Sequence, residues 1–368
     1  MRTSRADCLW MCALMLAGVL LTGCGSQPVQ VDPAVARYSI AALLPAAVSD
    51  REGWAEDIRA AFEALEIKPT AQNICAVVAV TQQESTFVVN PVVPGLADIA
   101  RREIDSRASR VHIPPLLVRS ALQLRSSNGQ SFADRLRRVK TEQELSDIFE
   151  DMIGLVPLGG RLFAGLNPVR TGGPMQVSIA FAAAHAAQHD YPYSRDPDVR
   201  QEVFTRRGGM YFGIAHLLDY PVPYDRMLFR FADFNAGHYA SRNAAFQNAV
   251  AIVSKVKLAL DGDLVLYGSS EPSRTEQAIR KMDGLELSHD EIRHALEQGK
   301  EESFERTPLY RRVFELADAA AADPVPRALV PRIRLQSAKI TRNLTTEWFA
   351  NRVDQRYRAC LARGSTAT

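Results

Sequence analysis

A chain of 368 residues, 46% of them apolar and 23% charged, has the size and balance of a folded protein with one large or two modest domains. Its formal net charge is only +2 and no basic tract is interleaved with aromatics, which sets nucleic acid aside as a partner.

At the N-terminus Arg2 and Arg5 precede an apolar run over 9–21, which ends in Leu21-Thr22-Gly23-Cys24. Charged, then apolar, then small is the order of a secretory signal peptide, and the run is too short to span a bilayer. The four residues resemble a bacterial lipobox. That resemblance implies removal of residues 1–23, lipidation of Cys24 and anchoring to a membrane through its acyl chains. Gly25, by resemblance to sorted lipoproteins, implies a Gram-negative outer membrane, with the protein facing the periplasm. Residues 24–34 read as a tether. Once Cys8 and Cys12 leave and Cys24 is lipidated, Cys75 and Cys360 remain. They either pair, as an oxidising compartment permits, or stay as two separate buried thiols.

Beyond the tether the pattern is helical almost throughout. Trp54, Ile58, Phe62 and Leu65 mark one buried face of a helix over 54–67. The next helix starts at the N-cap Thr70, carries Ile74, Val77, Val78 and Thr81 on its buried face, and reaches Glu84 near its C-terminal end. There the macrodipole disfavours a carboxylate, so position and partial burial together raise the pKa of Glu84 toward that of a general acid at neutral pH. Helices follow over 96–107 and 115–124, and the capping box Thr141-Glu142-Gln143-Glu144 opens another over 142–153. The arginines from Arg101 to Arg138 read as a solvated face, with the wall of a groove as the functional alternative. Residues 154–173 read as loop. Ser178 caps a helix over 180–188, a span over 198–218 is interrupted at Gly208-Gly209, and residues 224–233 lead into Asn235-Ala236-Gly237. Helices over 246–260, 288–298, from Thr307-Pro308 onward, and over 340–362 complete the chain, whose longest strand-like stretch is 264–267. His185 and His189, four apart, have metal-ligand spacing but lack the Glu of a metalloprotease helix. They read as core or surface histidines, and no metal or cofactor is expected.

Three short strings stand in one order: Gln82-Gln83-Glu84-Ser85-Thr86-Phe87 followed by Asn90-Pro91; Gly173-Pro174-Met175-Gln176; and Phe234-Asn235-Ala236-Gly237. Together they resemble the motifs of the lytic transglycosylases with a goose-lysozyme-like domain. Thr307-Pro308-Leu309-Tyr310 is a weaker fourth match. The resemblance implies a mostly α, lysozyme-like domain over 35–320, with a helical insertion over about 94–166 and a C-terminal helical extension over 321–368.

It also implies cleavage of peptidoglycan strands between N-acetylmuramic acid and N-acetylglucosamine. Glu84 would protonate the bridging oxygen, the sugar's own N-acetyl group would close on C1, and Glu84 would then take the C6 hydroxyl proton as a 1,6-anhydro ring forms. Ser85 would bind substrate, Gly173 would let the backbone pass close to a sugar ring, and Met175 and Gln176 would line the cleft. Asn235 would hydrogen-bond near the intermediate, Gly237 would permit a tight turn beside it, and Tyr310 would donate to the Glu84 carboxylate. Pro174 and Phe234 depart from the Leu and Tyr common in that family. A hydrolytic muramidase and a non-catalytic peptidoglycan-binding scaffold therefore stay open beside the transglycosylase.

Overall fold

The structure, a computed structural model, describes residues 40–155, 167–194, 198–335 and 343–365. The signal peptide, Cys24 and the tether lie outside the described residues, as do residues 156–166 of the loop expected over 154–173. The described chain is mostly α, and its helices gather around two apolar cores.

The first core is built on α1 (Arg51–Ala64) and α2 (Ala71–Glu84). Every α2 residue from Ile74 to Thr81 is buried, so this helix is apolar all round and runs through the middle of its core. Thr70 caps it as the sequence implies, its side chain accepting from the Asn73 N–H at 3.2 Å. After α2 come α3 (Leu96–Arg110), α4 (Pro115–Leu122), α5 (Phe132–Arg138) and α6 (Glu142–Gly154), the last with both halves of its capping box formed. The sequence pattern did not mark α5, whose seven residues are too few to show a period.

A two-stranded antiparallel hairpin follows, β1 (Thr171–Gly172) against β2 (Val177–Ser178), where loop was expected. Then come α7 (Ile179–Ala186), α8 (Val199–Val203) and α9 (Arg206–Leu218). The break between α8 and α9 falls at Phe204–Thr205, with Thr205 as the N-cap, not at Gly208-Gly209. Those glycines sit inside the helix because neighbours press on them. A Cβ on Gly209 would meet Pro174 Cδ at 2.4 Å, and one on Gly208 would meet the Glu202 carbonyl oxygen at 2.2 Å.

α10 (Met227–Ala236) ends the outward path of the first core, and α11 (Ala240–Ser254) opens the second with α12 (Arg274–Ile279), α13 (His289–Glu297) and α14 (Pro308–Ala320). Asp233 joins the two cores. Its buried carboxylate accepts from the Tyr239 and Ser241 N–H groups at 3.1 and 2.6 Å, at the start of α11, and from the Tyr224 and Tyr220 hydroxyls at 2.7 and 3.2 Å. Burial pushes its pKa up to about 6, and these hydrogen bonds hold it back from rising further.

The chain then returns to the first core. α15 (Thr346–Ser365) packs on both α2 and α10, placing Phe349, Ala350, Val353 and Cys360 among the buried residues there. Residues 321–368 were expected as an extension, yet their helix closes the core that α2 runs through. A disulfide joins Cys75 on α2 to Cys360 on α15, with 5.5 Å between their Cα atoms. Residues 264–267 form no strand. Among the described residues no helix is long and apolar enough to cross a membrane.

Candidate active site

α2 delivers Glu84 at its last residue. Ser85 ends the helix, its N–H and its Oγ both bonded to the Thr81 carbonyl at 3.1 and 3.2 Å. Thr86 and Phe87 then take φ of +54° and +61°, two successive side-chain-bearing residues in the left-handed region. Such a conformation persists only where its surroundings hold it. Here the Phe87 ring is buried edge-on against Trp54, centroids 5.2 Å apart. Asn90 fixes the exit of the turn, donating to the Gln143 side chain at 2.7 Å and the Phe204 carbonyl at 3.1 Å. Val92 pairs with Thr141 in an isolated antiparallel bridge, and the Val93 N–H donates to the Lys140 carbonyl at 2.8 Å. These contacts bring the N-terminal end of α6 back onto the loop that follows Glu84.

The consequence is electrostatic. Packed protein surrounds the Glu84 carboxyl although its side chain keeps some solvent access, and burial pushes its pKa up to about 7, with the negative charge of Glu142 adding to the shift. Among the described residues no hydrogen bond or ion pair holds this carboxyl. The sequence marks Glu142 only as part of a capping box. Its closeness to Glu84 depends on the Val92–Thr141 bridge, which no local pattern records.

Glu142 also lines a cleft of about 320 Å³ whose apolar walls include Leu96, Ile104, Phe149 and Met152. Arg107 and Arg170 supply positive charge, and Thr171 of the hairpin closes one side. Residues of the expected insertion therefore form most of the cleft wall. Of the arginines in that stretch, Arg101 pairs with Asp105 and Arg137 with Asp134 at the surface, which fits the solvated-face reading, whereas Arg135 pairs with Asp151 in a largely buried bridge. Arg107, also paired with Glu103, is the one among them that reaches the cleft.

The hairpin tip is Gly173-Pro174-Met175-Gln176. Gly173 has φ +70°, and a Cβ there would stand 2.1 Å from the Val203 carbonyl oxygen, so only glycine fits. Gln176 folds back on the turn, its N–H and Nε2 donating to the Gly173 carbonyl at 3.1 and 3.2 Å, and its Oε1 accepts from Thr171 Oγ1 at 3.4 Å. Met175 was expected to line the cleft, but its side chain is fully buried against Gly213 of α9. It supports the hairpin from beneath.

The remaining expected residues have other contacts of their own. Asn235 accepts from Thr346 Oγ1 at 2.9 Å, tying α10 to the start of α15. Gly237 ends α10 at φ +108°, with its N–H on the Asp233 carbonyl at 2.7 Å. Tyr310 corrects the expectation outright. It lies in the second core, its ring 4.8 Å from Phe314 and 5.2 Å from Phe304, and it makes no bond to Glu84. A motif of four residues carries no information about which core its helix enters.

The family described as Protein of unknown function (DUF1615) matches residues 47–363 of this chain. The chain is similar to the Uncharacterized protein YaiW of Escherichia coli (strain K12), 53% identical over 353 residues that cover 94% of this chain and 96% of that protein. No solved structure matches significantly.

Proposed function

The chain belongs to the DUF1615 family, and for this member we propose a peptidoglycan lytic transglycosylase with a lysozyme-like helical fold, held to the outer membrane by lipidated Cys24 and facing the periplasm. One observation carries the reading: Glu84 ends an apolar helix in a position that pushes its pKa up to about 7, so that at neutral pH it can both hold and release a proton. A group that serves as acid and then as base needs such a midpoint. The cleft beside Glu142 has apolar walls with Arg107, Arg170 and Glu103 among its polar groups, a surface suited to sugar faces. Replacing Cys24 by Ala should move the protein from the membrane fraction to the soluble one. Retention in the membrane would contradict the anchor.

Glu142 favours a second reading, a hydrolytic muramidase in which two carboxyls flank the scissile bond. The pH profile bears on its role. The first proton transfer requires protonated Glu84, so cleavage of purified sacculi should fall as pH rises through about 7. Glu142→Gln removes a like charge and lets the Glu84 pKa drop, which moves that fall to lower pH. If the profile stays where it was while activity drops at all pH values, Glu142 acts on the substrate and not through Glu84, and the hydrolytic reading gains.

A further inference from the structure

Outside the cleft, the fold assembles a second polar constellation at the ends of two helices. His185 stands in the last turn of α7 and is 8% exposed, while His189 follows just beyond the helix and Asp219 caps the C-terminal end of α9, both at the surface. Sequence spacing offered only the two histidines. The packing of α7 against α9 adds the carboxylate. We propose that His185, His189 and Asp219 form a binding site for a divalent transition metal of the zinc type, with a fourth position open to solvent.

The geometry supports this in three ways. The three candidate ligand atoms lie within 4.8 Å of one another. Two ligand atoms each about 2.1 Å from a tetrahedral ion stand about 3.4 Å apart, and His185 Nε2 and Asp219 Oδ2 are separated by 3.4 Å. His189 is surface-exposed, so its ring can close the remaining gap by a small rotation. Its Nδ1 already meets the His185 carbonyl oxygen at 3.2 Å, the outer contact that fixes a ligating imidazole's tautomer and leaves Nε2 for the metal.

The surroundings add to the case. The two histidine rings stack with centroids 4.2 Å apart, and beneath them Phe181 packs on His185, His216 and His238, giving one side of the site an aromatic, water-poor wall. Two nitrogens and one oxygen are a donor set for zinc or its first-row neighbours, whereas calcium and magnesium take shells of oxygen. Bound metal would staple the C-terminal end of α7 to that of α9.

Calorimetric titration of the untagged mature protein, stripped with chelator, with zinc chloride at neutral pH tests the site. One saturable site per chain is expected, with no matching heat from magnesium or calcium. His189→Ala and Asp219→Asn alter exposed side chains, so both variants should keep the wild-type circular dichroism and each should weaken zinc at least about tenfold. Absence of saturable zinc binding to the wild-type chain would overturn the proposal, as would wild-type affinity in both variants. Neither result bears on glycan cleavage, which does not involve these residues.

Discussion

The Glu84→Gln protein is expected to fold, to bind glycan and to lose cleavage of sacculi by at least about 10²–10⁴-fold, the range that general acid–base catalysis contributes. The substitution keeps the shape of the side chain and removes only the transferable proton. It also removes a buried ionisable group, so the variant should be no less stable than the wild type at alkaline pH. In the wild type the Glu84 pKa is pushed up from an ordinary 4.5 to about 7, and the native state therefore holds this proton more tightly than the unfolded chain. That contribution is fully present at low pH and is lost as pH rises through about 7. Wild-type turnover by Glu84→Gln, measured on the same sacculi, would remove Glu84 from the chemistry and leave the motif resemblance as a record of fold.

The second large effect is on stability. The Cys75–Cys360 disulfide closes a loop across a sequence separation of 285 and ties α15 to the helix that carries Glu84. A chain-entropy estimate for a loop of that length is roughly 5–6 kcal/mol, and measured values more often fall near 2–4. Cys75→Ala combined with Cys360→Ala avoids burying a new hydroxyl at two positions that are both 0% exposed. The double variant should lose roughly 4–6 °C in Tm if the cost is about 3 kcal/mol. Adding reductant to the wild type should approach the same value and should leave the variant unchanged. A Tm unaltered by either treatment would mean that packing of α15 on α2 holds the helix without the covalent link.

What the sequence reveals of this molecule follows the range of each interaction. Thr70 as a cap, the apolar face of α2 and the capping box at Thr141 are set by residues within one or two turns, and the structure forms all three. The sequence implies a raised Glu84 pKa from the helix macrodipole and partial burial, whereas in the structure burial comes first and the charge of Glu142 second. Glu142 was visible as a helix start but not as the neighbour of Glu84, since a pairing of Val92 with Thr141 brings it there. Gly208-Gly209 suggests a break locally, whereas in the fold the pair admits Pro174 and the Glu202 carbonyl inside a helix. Tyr310 failed for a related reason. Its motif looked continuous with the others, but its helix packs with Phe246 and Phe304 in the second core.

The hairpin tip shows a mixed outcome. Gly173 is required by φ and by the close Val203 carbonyl, so a sequence pattern that singles it out points to real backbone geometry. Met175 belongs to the same string and yet faces the core. A short motif thus combines residues that build a turn with residues that present it, and only coordinates separate the two.

We propose that Glu84 cuts glycan strands with internal attack of the C6 hydroxyl, and mass spectrometry of the fragments released from purified sacculi by the mature protein, run beside Glu84→Gln, distinguishes the outcomes. Fragments ending in 1,6-anhydro-N-acetylmuramic acid are expected with the wild type and essentially none with the variant. Reducing ends in their place would assign the site to a hydrolase, and intact sacculi with bound protein would contradict catalysis altogether.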